Sequence, residues 1–366
     1  MINKYFILSI ISLVMFFFVA CKEDIDLSTD GKETAVVYAL LDQTDSIHYV
    51  RINRAFYGGT NALEIAQIPD SSYFKKVVAT VYEMFNGKVF RSWVLRDTTI
   101  SNKDTNGVFF DSIQKLYYFT TDKATALKPG YTYKLNISID NKRFEVNGQT
   151  QLIQNAKLGN PASEGNSFSF ASTNIAKDGY FSTQVNASLG SSKALNVALD
   201  IYVKEFKGSL ATIKKINWNL GDRINNSSTS VAVGASGESF YKKVLSECTD
   251  KTVTKRQLYR LDINAMFCSS DFIEYQNSLT PSSSLAQTKK EYTNLTVTNG
   301  MRVKGIFASR NNVIVQKLPF TKYSASNYFR AIDQSSMKEL CQGQYTGNLN
   351  FCSDVPSDSK ETYYCK

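Results

Sequence analysis

A single histidine, His48, serves this 366-residue chain, so any nucleophile–base pair built on imidazole must run through it. It opens the alternating stretch "HYVRINRAF" (48–56), where Val50 and Ile52 share one face and Arg51 and Asn53 the other. That setting makes His48 a strand residue with a satisfied ring rather than a catalytic base. No HExxH, P-loop or GxGxxG pattern occurs. Paired carboxylates remain as a route to glycoside hydrolysis, which needs two acids at a suitable separation. The 33 Asp and Glu residues supply the material, but no spacing singles out a pair. The six cysteines include no CxxC, which argues against zinc-ribbon and thioredoxin-like chemistry. Cys248, Cys268, Cys341, Cys352 and Cys365 are instead candidates for disulfides. The tail trio forms the obvious cluster, Cys248 with Cys268 would tie a helix end to the next strand, and the odd count leaves one thiol over. Trp93 and Trp218 lie in or near strand patterns and are assigned to packing. No catalytic residue, metal or cofactor site is expected.

The charge balance points the same way. With 42 Lys and Arg against 33 acids the formal charge is +9, yet the basic residues are dispersed and no basic run is interleaved with aromatics. A solvated basic surface is expected, and nucleic-acid binding is not. Twenty-one Tyr and 23 Phe beside only six Pro favour strands.

The elements that must carry these residues read as short strands. Ala35–Leu41 is a continuous apolar run, and Val77–Phe85 and Lys88–Leu95 flank Asn86-Gly87, a strong hairpin signal. "YKLNISID" (133–140) alternates, turns at Asp140-Asn141, and resumes at Arg143–Val146. "ALNVALDIYV" (194–203) and "LYRLDINAMF" (258–267) are further strands. "MRVKGIFAS" and "NVIVQKL" are expected to form a hairpin across Arg310-Asn311-Asn312. Helices are expected at Asn61–Ile68, Glu238–Glu247, Ser269–Ser278 and Asp333–Cys341, and a loop at 222–237. The predicted fold is mostly β, with two β-sandwich-like domains, a few short helices and a loop-rich C-terminal tail. Its boundaries are a leader at 1–20, a tether at 21–34, an Ig-like β-sandwich at 35–152, a second β-rich domain with helical insertions at 153–320, and a C-terminal helix with a Cys-containing tail at 321–366.

The N-terminus has an address. Met-Ile-Asn-Lys precedes an apolar run from Tyr5 to Ala20, which spans about 24 Å as a helix against a bilayer core of about 30 Å. This is the length of an export signal rather than of a membrane span. With Cys21 directly after Ala20, the segment resembles a bacterial lipoprotein signal. The resemblance implies cleavage after residue 20 and acylation of Cys21 by palmitate-type chains, several of which anchor stably where one is marginal. The family pattern prefers Leu at the third position before the Cys, and this chain has Phe18. Lys22, Glu23 and Asp24 resemble the signal that sends Bacteroidota lipoproteins to the outer face of the outer membrane. Asp45-Ser46-Ile47, Asp97-Thr98-Thr99 and Asp111-Ser112-Ile113 resemble the O-glycosylation pattern of the same envelopes, with Ser46, Thr98 and Ser112 as acceptors.

The lipid Cys with its acidic follow-on, the early "TAVVYALLD" and the late "NGMRVKGIFASR" together resemble Bacteroidota surface lipoproteins of the DUF4249 type, a domain of unknown function. "GIFASR" is less Gly-rich than that family's form. The resemblance implies a non-enzymatic outer-membrane surface lipoprotein, an accessory or binding subunit (nutrient uptake) beside an outer-membrane β-barrel such as a TonB-dependent transporter. It supplies no ligand. The alternatives are a surface glycan hydrolase using paired carboxylates and an adhesin or structural surface protein.

Overall fold

Period-two patterning passes directly into strands in the computed structural model, which describes residues 33–55, 69–101, 114–224, 228–279, 291–324 and 327–366. Strands β1 (Thr34–Asp42) and β2 (Ile47–Ala55) come first, then a one-turn helix α1 (Pro69–Ser72). The hairpin β3 (Val77–Phe85) and β4 (Lys88–Val94) turns through Asn86 and Gly87, both at positive φ. Strands β5 (Arg96–Ile100), β6 (Gln114–Thr120), β7 (Thr132–Ile139) and β8 (Phe144–Gln151) follow. Next are β9 (Lys157–Leu158), a second one-turn helix α2 (Ile175–Asp178), β10 (Ser182–Ser188), and the long β11 (Ala194–Lys207) and β12 (Leu210–Ile224). Strand β13 (Ser230–Ser236), helix α3 (Gly237–Glu247), β14 (Lys255–Cys268) and α4 (Ser270–Leu279) complete the middle. The last elements are β15 (Leu295–Val297), β16 (Arg302–Lys317), β17 (Phe320–Lys322), β18 (Tyr328–Arg330) and α5 (Gln334–Gln342). The fold is mostly β and β-sandwich-like, with few short helices.

One eight-stranded sheet, ordered β12-β11-β14-β16-β1-β2-β6-β5, runs through both halves of the chain. Its seam is β16. The first part of β16 lies parallel to β1, from Thr34↔Arg302 to Asp42↔Arg310. Its second part lies antiparallel to β14, from Cys268↔Arg310 to Leu261↔Lys317. The hairpin expected across Arg310-Asn311-Asn312 is therefore absent, and those residues continue one strand. Their polar groups are met by neighbours rather than by a turn. Arg310 Nε lies 3.2 Å from Asp42 Oδ2, and Asn311 is buried opposite Phe267.

Two hydrophobic cores sit on this sheet. The first gathers Val37, Leu41, Val50 and Ile52 with Val81, Leu135, Ile137 and Val146 of a five-stranded sheet ordered β15-β8-β7-β3-β4. Leu295, Met301 and Phe307 also belong to it, although the sequence reading grouped them with the second domain. The second core packs Leu195, Val197, Leu199, Ile201 and Val203 against the sheet β13-β10-β9, α3, α5 and the tail. All five of these β11 side chains are buried, and each contributes about 1.5–3 kcal/mol by leaving water.

Strand β13 lies inside the stretch expected to be a loop. Its Ser, Gly and Ala residues disguise an alternation in which Val233 and Ala235 face the core. The helix expected at Asn61–Ile68 falls outside the described residues. A one-turn helix begins at Pro69, whose fixed φ suits a first turn.

At Phe307, the edge of β16 that faces away from β1 is closed by a side chain rather than a strand. Asn294 Nδ2 donates to Phe307 O at 2.8 Å, and Phe307 N donates to Asn294 Oδ1 at 3.0 Å. On the other edge, Gly305 (φ +102) lets the backbone of β1 approach. A Cβ there would stand 1.9 Å from Val37 O. Gly305→Ala is expected to break the β1–β16 pairing at a cost above about 3 kcal/mol, read as a lower urea midpoint. An unchanged midpoint would show that the seam tolerates a side chain there.

Candidate functional site

Cys21, Lys22, Glu23, Asp24 and Ser112 lie outside the described residues. Ser46 is exposed in the turn between β1 and β2, and Thr98 is half-buried on the edge strand β5. His48 is 2% exposed on the inward face of β2, stacked on Phe119 with ring centroids 4.6 Å apart. Thr121 Oγ1 donates to Asp45 O, so it accepts from His48 Nε2 at 3.0 Å and leaves Nδ1 buried without a partner. Burial lowers the His48 pKa to about 4 against a weaker pull from Asp42, so the ring is neutral and structural.

The cysteines divide by position. Cys352 and Cys365 form a disulfide, with Cα atoms 5.0 Å apart. Cys248, Cys268 and Cys341 are free and buried, and burial pushes their thiols up to about 11, 12 and 12. The pairing of Cys248 with Cys268 fails on distance. Cys248 feels Arg256 and Glu205 near the start of β14, whereas Cys268 ends that strand beside Arg310. Twelve strand residues separate Arg256 from Cys268, about 40 Å, where a disulfide needs Cα atoms within about 7 Å. Trp93 packs on Phe119 at 5.0 Å under the Arg91 guanidinium, and Trp218 packs on Phe170 and Phe240. Among the described residues, no group of three or more His, Cys, Asp and Glu could hold a metal ion. None of their helices is long and apolar enough to cross a membrane.

What the chain order hid is a carboxylate pair. Asp200 of β11 and Asp262 of β14 are direct cross-strand partners on the face of the large sheet opposite the second core. Both are almost fully buried, at 5% and 3% exposure. Asp200 accepts from Asn217 Nδ2 at 2.7 Å and Asn264 Nδ2 at 2.6 Å, and pairs with Lys215 Nζ at 2.8 Å. Burial opposes its charge, yet these three donors together hold the carboxyl below its usual pKa. Asp262 has one close partner, Arg260 Nε at 2.8 Å, and burial with the Asp200 charge holds it above the usual range. Tyr202 lies under both cations, 4.3 Å from Arg260 and 5.8 Å from Lys215. Opposed pKa shifts within one pair are the electrostatics of an acid and a base. The only sequence signal was an Asp in the polar phase of "ALNVALDIYV" and another in "LYRLDINAMF".

A second feature is an open polar groove of about 690 Å³ on the outer face of the five-stranded sheet. Tyr82, Lys134, Asn136, Asn147, Gln149 and Thr296 line it. Asn136 Nδ2 donates to Asn147 Oδ1 at 2.9 Å across β7 and β8. The groove offers amide and hydroxyl groups with one aromatic ring, which suits polar contacts and supplies no nucleophile–base pair.

No family model matches the chain, and no curated protein matches it. Among solved structures, one described as the crystal structure of CBD12 from CALX1.2 aligns with 76% of this chain and 99% of its own. Its identity is 7% and its TM-score 0.13, too low to carry an argument.

Two outcomes are expected. Asp200→Asn strands the donors of Asn217, Asn264 and Lys215 and should cost about 1.5–3 kcal/mol in urea unfolding, whereas Asp262→Asn should be neutral or stabilising. Equal losses would contradict the opposed environments. For His48 the folded pKa lies below the unfolded one, so the unfolded chain protonates first. Its contribution is complete above pH 6.5 and falls as pH drops towards 4, by about 2 kcal/mol at pH 5. His48→Gln should narrow the stability gap between pH 7.5 and pH 5 by about that amount.

Proposed function

We propose that the protein is a lipid-anchored outer-membrane surface lipoprotein of the DUF4249 type. It acts without catalysis, as an accessory or binding subunit of an outer-membrane β-barrel, and the barrel is a TonB-dependent transporter. The observation that carries this reading is "FFFVACKED" (16–24), in which a short apolar run ends on a Cys followed by a Lys and two acids. The described architecture supports it in two ways. Strand β1 begins at Thr34, so the segment from Cys21 to Glu33 would hold the fold within about 40 Å of an anchor at residue 21. Such confinement raises the effective concentration beside a membrane partner. The polar groove around Tyr82 and Asn136 offers a contact face of the kind a binding subunit needs.

A hydrolase reading draws on Asp200 and Asp262, because cross-strand Cβ atoms about 5 Å apart approach the spacing of retaining glycosidase carboxyls. Against it, Asp200 is held by Lys215, Asn217 and Asn264, and Asp262 by Arg260. An adhesin would share the anchor and lack the barrel.

Intact-mass analysis of the membrane-extracted protein should show a chain starting at Cys21 with its acyl groups. Cys21→Ala should shift the protein out of the detergent-extracted membrane fraction. Affinity purification from detergent should recover a β-barrel protein. An unmodified residue 21 removes the anchor, and purification without any barrel favours the adhesin.

A further inference from the structure

The described charges of the first sandwich are unevenly placed along its strands. The end where β1 begins is drawn together by contacts among five separate segments. Glu33 pairs with Arg143 at 2.6 Å and with Arg54 at 3.3 Å. Arg302 N donates to Glu33 O at 2.9 Å, and Asn299 Nδ2 donates to Arg143 O at 2.7 Å. Asp140 N donates to Lys76 O at 2.8 Å, which brings the start of β3 to the same end. Lys75, Lys76, Lys142, Arg143, Arg54 and Arg302 therefore converge there, opposed by Glu33 and Asp140, with Glu145 one step further along β8. At the opposite end, where β1 finishes and the Asn86-Gly87 hairpin turns, Asp42, Asp45 and Asp122 stand with Arg310, Lys123, Lys88 and Lys128, so acids and cations there are closer to balance.

Two details sharpen the basic end. Lys75, Lys76, Lys142 and Arg143 are exposed. The turn that presents Lys142 is also unusual, because Asp140, Asn141 and Lys142 occupy three successive left-handed positions, at φ +48, +60 and +70. Asp and Asn tolerate that region and lysine does not favour it, so the strain falls on an exposed cationic tip. The segment leading back to Cys21 joins the fold at this same end, at Glu33.

We propose that this end of the first sandwich is a membrane-docking surface whose lysines and arginines meet the phosphate headgroups of an anionic bilayer. The proposal rests on the lipid-anchor reading above, which brings this end closest to the bilayer. Anchor and charge then act together: the acyl chains localise the protein, and the cations orient it with β1 starting at the membrane. Each basic group near an anionic surface is worth about a fivefold gain in partition. The groove around Tyr82 and Asn136 lies along the side of the sandwich and stays open to a neighbouring protein in that orientation.

The test uses membrane-extracted full protein in nanodiscs of phosphatidylcholine alone or mixed equally with phosphatidylglycerol. Hydrogen–deuterium exchange is followed at 75–76 and 140–143. Exchange is expected to slow several-fold in the anionic discs only, and to recover in high salt and in Lys75→Gln/Lys76→Gln/Lys142→Gln. These exposed positions leave both cores untouched. Acylated protein with equal exchange in both bilayers overturns the docking surface and leaves the anchor. Protection that is present without lipid and lost in Glu23→Gln/Asp24→Asn/Asp26→Asn also overturns it, by placing the chain's own acidic segment on the cations. If intact mass shows residue 21 unmodified while the anionic discs still protect this end, the surface stands and the anchor reading falls.

Discussion

The parallel pairing of β1 with β16 is the constraint on which the rest depends. It brings residues 34–42 beside residues 302–310, and the chain between them must build two cores and return. Because β16 continues past Arg310 to pair with β14, one strand belongs to both halves of the large sheet. Arg310 stands at the switch, aligned with Asp42 on one side and with Cys268 on the other. The buried Asp42 carboxylate there also accepts from Thr44 N and Oγ1, so the turn after β1 is tied to the same point. Gly305 supplies the close approach and Asn294 closes the remaining edge. A parallel pair needs a long crossover, and here that crossover carries most of the strands of both cores.

A second set of long-range links holds the tail. Arg256, 2% exposed, donates to Glu205 Oε1, Leu349 O and Asp250 O, each at 2.8 Å. Arg330 grips both oxygens of the buried Asp358 at 2.8 and 2.7 Å, and Ser353 Oγ donates to the same carboxylate. Ser336 Oγ accepts from the backbone of Phe170 and Ala171, joining α5 to the second core. Breaking one partner of such a buried pair leaves an uncompensated charge, which costs more than the pair gains. A segment that reads as loop-rich is in this way ordered by charged anchors and one disulfide, rather than by its own secondary structure.

The same economy explains where chemistry could and could not arise. Several buried ionisable groups among the described residues are engaged in structure: Glu83 is held by Tyr133 and Arg91, Asp358 by Arg330, and Lys317 by two backbone carbonyls. In the Asp200–Asp262 pair, Asn217, Asn264 and Lys215 occupy the oxygens of Asp200, whereas Asp262 Oδ1 lies close to Arg260 Nε but accepts no hydrogen bond. Open polar surface remains on the outer face of the five-stranded sheet and at the basic end of the first sandwich. Both are open to solvent and lined by polar or charged side chains.

Sequence alone determined the local elements wherever hydrophobic alternation was strong. The strands at 133–140 and 194–203, the Asn86-Gly87 hairpin and the capped helix at 334–342 follow from spacing and turn residues. It also carried the Cys21 context, which no packing is needed to read. Strand β13 escaped because its small residues carry little hydrophobic signal, and β16 was cut in two because Arg-Asn-Asn resembles a turn when its sheet neighbours are unknown. Tertiary structure alone decided those neighbours. It set Asp200 opposite Asp262, Asp42 opposite Arg310, and four basic segments at one end of a sandwich. Each of these depends on register between strands far apart in the chain, and register is settled by which faces are buried together.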